Sequence, residues 1–213
     1  MSQEVININF LKFDKKIMRR IIPFVLGLIV LYLSIYTVEA NENAVILRFG
    51  KYNATNTSGL HFKIPFIDTV HKVKVDYQFK TEFGFRTVQP NVRTQYRTSG
   101  YEDESWILTG DLKIAEVKWV VQYKIKNARH YLFNVKNVEN TISDVAEAAM
   151  QLMIGDRSFI EVLQQERVAI GDEARKYMQN LLDEYKSGIS IQLVQLQGVV
   201  PPKTVEDSFN EVN

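Results

Sequence analysis

The sequence predicts an α+β domain carried behind one N-terminal transmembrane helix, and three observations predict it. An uncharged stretch of eighteen residues, Ile21 to Val38, follows a basic tail. Alternating apolar residues dominate from Val45 to Ile125, after which the apolar spacing changes to steps of three and four. One last alternating run follows Gly188. Strands, then helices, then a closing strand is the order expected of helices packed on one face of a mixed β-sheet.

As a helix, Ile21 to Val38 would span about 27 Å at 1.5 Å per residue, close to the thickness of a bilayer hydrocarbon core. Pro23 falls in its first turn, where a missing N–H costs nothing, and Gly27 is tolerated in lipid. Residues 1–20 carry Lys12, Lys15, Lys16, Arg19 and Arg20 against Glu4 and Asp14, whereas the only basic residues among the twenty from Asn41 are Arg48 and Lys51. The excess of positive charge places residues 1–20 in the cytoplasm and the remainder across the membrane. A cleaved signal peptide ending at Val38-Glu39-Ala40 is the competing reading. The apolar run is longer than a signal core, and its twenty-residue leader is long for a signal.

Beyond the anchor, Val45, Leu47 and Phe49 alternate with Ile46 and Arg48, and Gly50-Lys51 turns the chain. Lys51 to Gly59 is polar. Leu60 to Ile64 and Val70 to Val75 read as two strands separated by Pro65-Phe66-Ile67-Asp68. Thr87 to Glu104 has no period and reads as a long loop. Trp106 to Leu108 opens a hairpin at Thr109-Gly110-Asp111. In Val117 to Ile125, the residues Val117, Trp119, Val121, Tyr123 and Ile125 share one face, with Lys118, Gln122 and Lys124 on the other.

Val138, Ile142, Val145, Ala149 and Met153 then mark an amphipathic helix ending at Gly155. Ser158 and Glu161 form a capping box for a second helix. Ile170, Ala174, Met178, Leu181 and Tyr185 mark a third, with Gly188 as its left-handed terminator. Ile189, Ile191 and Leu193 alternate, but the phase slips at Val194 and Leu196, which predicts a bulge. After Pro201-Pro202, Val205, Phe209 and Val212 fall at i, i+4 and i+7 of a further helix that starts within residues 201–213. The predicted organisation is a basic tail (1–20), a transmembrane helix (21–38), one domain of ordinary size (41–200) and the start of a C-terminal helix (201–213).

The composition narrows the chemistry. The net charge is +1, and the tail holds more than all of it, which leaves no nucleic-acid footprint in the domain. The absence of cysteine excludes disulfides, thiolate metal sites and a cysteine nucleophile. Sequence motifs with a phosphate loop, a nucleophile elbow, a dinucleotide fingerprint or a zinc-protease helix are missing, so the sequence nominates no catalytic, cofactor-binding or metal-binding residue. His61, His71 and His130 lie on different predicted elements without ligand-type partners. Glu102, Asp103 and Glu104 read as a solvated acidic loop, and Trp106 and Trp119 as core aromatics within strands.

The segment Glu42-Asn43-Ala44-Val45-Ile46-Leu47-Arg48-Phe49-Gly50-Lys51, followed by Gly59-Leu60-His61-Phe62-Lys63-Ile64-Pro65-Phe66-Ile67-Asp68, resembles the start of the stomatin, prohibitin, flotillin and HflK/C (SPFH, band 7) domain. The HflK branch is the more specific resemblance. It rests on Leu108-Thr109-Gly110-Asp111, Val120-Val121-Gln122-Tyr123, Tyr131-Leu132-Phe133-Asn134-Val135 and Ala146-Glu147-Ala148-Ala149-Met150. It continues through Gly155-Asp156-Arg157, Leu182-Asp183-Glu184-Tyr185 and Val194-Gln195-Leu196-Gln197 to Pro201-Pro202. The resemblance implies a non-enzymatic scaffold of the bacterial inner membrane that assembles with an HflC-like paralogue and modulates the AAA membrane protease FtsH. It also implies a coiled-coil helix continuing past Asn213 through which subunits assemble. The alternative is a general stomatin-like scaffold for membrane lipid, with Ile64 to Ile67 dipping into the interface. A hydrolase with an unrecognised site is a third reading, for which no nucleophile and base pair is nominated.

Overall fold

A computed structural model of the chain describes residues 15–89, 95–98 and 100–201. Its N-terminal elements are α1 (Lys15–Ser34), β1 (Ile35–Val38), β2 (Glu42–Arg48), β3 (Lys51–Asn56), β4 (Gly59–Phe62) and β5 (Asp68–Lys74). Next come β6 (Phe79–Phe83), β7 (Arg86–Gln89), β8 (Gln95–Arg97), α2 (Glu102–Ser105), β9 (Trp106–Leu108) and β10 (Ile114–Ile125). The C-terminal part holds α3 (Ala128–Phe133), α4 (Val138–Gly155), α5 (Arg167–Glu184) and β11 (Ile189–Val200). The stripe of Val205, Phe209 and Val212 and the first part of the basic tail lie outside the described residues.

The uncharged N-terminal run is divided between two elements. Helix α1 closes with the Ser34 hydroxyl donating to the Val30 carbonyl at 2.8 Å, and Ile35–Val38 then pairs antiparallel with β4, Ile35 opposite Phe62 and Val38 opposite Gly59. Ile-Tyr-Thr-Val is β-branched and aromatic, a sequence that fits a pleated ladder better than a helix. The single helix expected from Ile21 to Val38 is therefore corrected: its helical part is fourteen residues, about 21 Å at 1.5 Å per residue. Among the described residues no helix is long and apolar enough to cross a membrane.

A three-stranded sheet, β3-β2-β5, follows in the chain. The polar segment after Lys51, given no structure by its pattern, is strand β3, because its backbone pairs with β2 from Arg48 opposite Lys51 to Ala44 opposite Asn56. The turn before β5 is fastened by Asp68, which accepts from Arg48 Nε at 2.9 Å, from Arg48 Nη2 at 3.1 Å and from the Ile64 amide at 2.9 Å. The Arg48 guanidinium and that amide hold the Asp68 carboxyl below its ordinary pKa.

The main sheet runs β11-β10-β6, with β9 joining β10 at its start. Every strand pair among the described residues is antiparallel, where mixed directions were expected, since the helical excursion α3 to α5 returns the chain beside β10 in the opposite sense. Val117, Trp119, Val121, Tyr123 and Ile125 are all buried, as the alternation predicts. They meet the apolar faces of α4 and α5, including Ile142, Val145, Ala149, Met150, Ile170, Ala174 and Met178, in one continuous core. The bulge predicted in the closing strand occurs twice: the register of β10 against β11 shifts at Lys118/Trp119 and at Gln122/Tyr123. Each extra residue moves the next apolar pair back to the core face, so Ile189 and Ile191, then Val194 and Leu196, are buried while Leu193 faces outward.

Three further expectations are corrected. The stretch Thr87 to Glu104, predicted as a loop, holds most of the hairpin β7–β8 and the short helix α2. On α5 the fully buried position is Leu182 rather than Leu181, one residue off the expected stripe, with Leu181 only partly buried against the core and Tyr185 exposed. Lys186, not Gly188, takes the left-handed position directly after the α5 cap. Gly188, at φ +75°, instead lets the Asn127 carbonyl approach so closely that a Cβ would collide with it. The capping box forms as predicted, with the Ser158 amide donating to Glu161 Oε2 at 2.8 Å and the Glu161 amide donating to Ser158 Oγ at 3.4 Å. It opens a π-helical turn, Glu161–Gln165, ahead of α5.

Candidate functional site

The loop between β9 and β10 is pinned to the C-terminal end of α4, and this fixes how the hairpin presents itself. The Gly110 amide donates to the Arg157 carbonyl at 2.7 Å. A Cβ on Gly110 would lie 2.8 Å from the Gly155 carbonyl, so only glycine permits the approach. Asp111 accepts from the Thr109 hydroxyl at 2.6 Å and from the Phe159 amide at 3.0 Å, and pairs with Lys113 at 3.0 Å. These donors, the Thr109 hydroxyl first, lower the Asp111 pKa from 3.8 to about 2. Arg157 completes the junction by bridging Glu166 at 2.5 Å, Glu173 at 2.8 Å and the Met153 carbonyl at 2.6 Å.

With the hairpin so held, strand alternation sorts its side chains. Ile107 and Ala115 enter the core, while Trp106, Leu108 and Ile114 stand on the outer face. Trp106 is 47% exposed, which corrects its assignment to the core; Trp119, at 1%, keeps that assignment. Val200, opposite Glu116 in β11, and Leu112, at the hairpin tip with φ 60°, extend the exposed apolar surface. Only the register reveals this: Ile107 lies opposite Ala115 on the core face, so Trp106, the next residue along β9, stands on the other.

A second apolar surface lies where α1 enters the fold. The Lys63 amide donates to the Ser34 carbonyl at 2.8 Å, bringing the β4 end against the end of the helix. Around that junction Ile35, Leu60, Phe62 and Ile64 are exposed, and Phe66, at φ 65° on the tip of its turn, is 93% exposed. Phe49 adds a further open aromatic ring on the neighbouring turn.

The polar candidates stand apart. His61 lies on β4, hydrogen-bonded to the Thr57 carbonyl at 2.8 Å, with His71 on β5 and His130 on α3. Among the described residues no group of three or more His, Cys, Asp or Glu is placed to hold a metal. Glu104 is not the solvated carboxylate its loop suggested: it takes both Arg86 terminal nitrogens at 2.9 Å, and Arg86 also stacks on Tyr101. That pair ties α2 to the start of β7.

Residues 36–213 match the family model described as SPFH domain / Band 7 family. The chain is 41% identical over 193 residues to Protein HflK of Treponema pallidum, covering 89% of this chain and 58% of that relative. It is 37% identical over 194 residues to Protein HflK of Borreliella burgdorferi, covering 91% and 61% respectively. It is 27% identical over 176 residues to the Modulator of FtsH protease HflK of Escherichia coli, covering 83% and 37%. The chain thus spans about three fifths of the length of the first two relatives.

Proposed function

The chain belongs to the SPFH domain / Band 7 family, and from that premise we propose that it is a membrane-anchored scaffold subunit that acts by contact on an FtsH-type membrane protease. The observation that carries this reading is its likeness, along most of its own length, to relatives named HflK, one of which is named a modulator of that protease. The subunit has no catalytic, cofactor or metal site of its own, and assembles with an HflC-like paralogue and with further copies.

The N-terminus lies in the cytoplasm of a bacterial cell, α1 crosses the inner membrane once, and residues 41–213 stand outside the cytoplasm. Two features support this seating. The tail charge has the sign that retains it inside. The apolar part of α1, about 21 Å by its residue count, runs directly into the exposed Ile35, Leu60, Phe62 and Phe66, which lengthen the apolar surface toward the roughly 30 Å of a hydrocarbon core. The same collar favours a second reading, a general lipid scaffold without a dedicated protease partner.

Deleting the gene and following a membrane substrate of the protease separates the two. The protease reading expects altered substrate turnover, restored by the wild-type chain. Unaltered turnover together with altered lipid organisation would favour the lipid scaffold.

A further inference from the structure

We propose that α1 and the apolar collar around Phe66 form one rigid seat whose depth follows the thickness of the bilayer, so that the surrounding lipid sets the height at which the domain stands. The inference rests on the reading of α1 as a membrane anchor.

The seat is rigid because no linker separates the helix from the fold. Ser34 is the last residue of α1 and Ile35 the first of β1, which is laddered to β4 from its first residue to its last. The Lys63 amide donates to the Ser34 carbonyl at 2.8 Å, so the chain returning from β4 also holds the helix end. Asn56 Nδ2 donates to the Tyr36 hydroxyl at 2.9 Å and fastens β1 to β3. A shift of α1 along the membrane normal therefore carries the domain with it.

The strand directions bring the collar to the anchor. Strand β1 leaves the helix end and β4 returns to it, so the turn that follows Lys63 comes back level with Ser34. The Phe49 amide donates to the Ile67 carbonyl at 3.2 Å, which brings the β2–β3 turn to the same level. Phe49 and Phe66, both at positive φ, are thus exposed rings beside the end of the helix.

The dimensions make the depth depend on the lipid. Arg19 and Arg20 hold the other end of the apolar run at the cytoplasmic headgroups. From Ile21 to Ser34 the helix spans about 21 Å, enough for a thin bilayer with the collar left among the headgroups. A hydrocarbon core of roughly 30 Å exceeds it by about 9 Å. Leu60, opposite Thr37, lies three strand residues beyond Ser34, about 10 Å at 3.3 Å per residue, so sinking the collar as far as Leu60 makes up the difference. Lys63 and the Arg48–Asp68 pair stand beside the same turns, and their charges oppose any deeper entry. The collar sinks as far as the mismatch demands and no further. For a subunit that acts by contact, the resulting height decides which surfaces of a membrane partner it can reach.

The chain has no cysteine, so a single Phe66→Cys carrying a polarity-sensitive nitrobenzoxadiazole label reports the depth of the collar. The labelled full chain is reconstituted into phosphatidylcholine vesicles with monounsaturated chains of fourteen, eighteen or twenty-two carbons. The label at Phe66→Cys should shift step by step to the blue as the lipid chains lengthen, while a label at Leu112→Cys, on the hairpin tip, stays water-like in all three. Four leucines inserted between Leu28 and Ile29 lengthen the anchor by about 6 Å away from the fold, and should return the Phe66→Cys label toward water-like emission in the eighteen-carbon vesicles. Emission at Phe66→Cys that does not change among the three bilayers, or a gradient that the four leucines do not displace, overturns the inference. A label at Leu28→Cys separates this failure from that of the anchor reading. Apolar emission there without a gradient at Phe66→Cys overturns the rigid seat alone, and water-like emission there overturns both.

Discussion

Replacing Trp119 with alanine removes the central piece of the core, and the structure sets how large the loss should be. The indole lies on β10 opposite Phe83 of β6, with ring centroids 4.7 Å apart and planes within 4° of parallel. Both side chains are almost fully buried, and the strands on either side are held by ladders that cannot collapse inward without breaking register. Truncating a buried tryptophan costs about 3 to 5 kcal/mol, and the fixed ladders favour the upper part of that range. For a domain of this size each kcal/mol moves the melting temperature by about 2 to 4 °C, so a drop of roughly 6 to 20 °C is expected. Trp119→Phe should cost much less: it keeps the stack on Phe83 and removes Nε1, which is buried without a hydrogen-bond partner. Lys118→Ala, one residue away on the outer face, loses only a partly exposed pair with Glu116 at 2.8 Å, worth about 1 kcal/mol or less. Thermal unfolding followed by circular dichroism ranks the three. Similar melting temperatures for Trp119→Ala and Lys118→Ala would refute the assignment of faces on this strand.

Two further outcomes follow from the junction and the anchor. Asp111, with its pKa lowered from 3.8 to about 2, adds stability that is complete above pH 3.8 and is lost as the pH falls toward 2. The melting-temperature gap between wild type and Asp111→Asn should therefore narrow across that window, and a constant gap would show that the Thr109, Lys113 and Phe159 contacts do not favour the charged form. Protease added to intact spheroplasts should digest residues 41–213 and leave the anchor uncleaved, whereas protection of the domain would reverse the orientation and a mature N-terminus at Asn41 would make the anchor a signal peptide.

The long periodic elements were legible in the sequence because burial imposes their period. Strand β10 and helix α4 each pack one face on the core, so Val117 through Ile125 and Val138 through Met153 carry the pattern openly. The slip at Val194 was legible for the same reason, since a bulge is what restores a broken alternation. What stayed hidden has little buried surface to mark it. Strand β3 alternates between exposed and half-buried residues, so its polar composition reads as loop although all of it but Asn53, at a bulge, is in register with β2. The end of α1 at Ser34 was masked by composition, because Ile35 to Val38 is as free of charge as the run from Ile21 before it and the partner strand β4 is what separates them. Trp106 was misplaced because a three-residue strand is too short to show which of its faces is buried. The outer face of the hairpin and the aromatic collar are therefore features that only the register and the turns reveal.

The central claim is that the protein acts by contact with a membrane protease, and crosslinking in native membranes tests it most directly. The full-length chain, tagged and expressed at its natural level, would be crosslinked before extraction and its partners identified by mass spectrometry. The account predicts an FtsH-type protease and an HflC-like paralogue among the covalent partners, together with further copies of the chain. Recovery of lipid and copies of the chain alone, with neither of those two proteins, would contradict it.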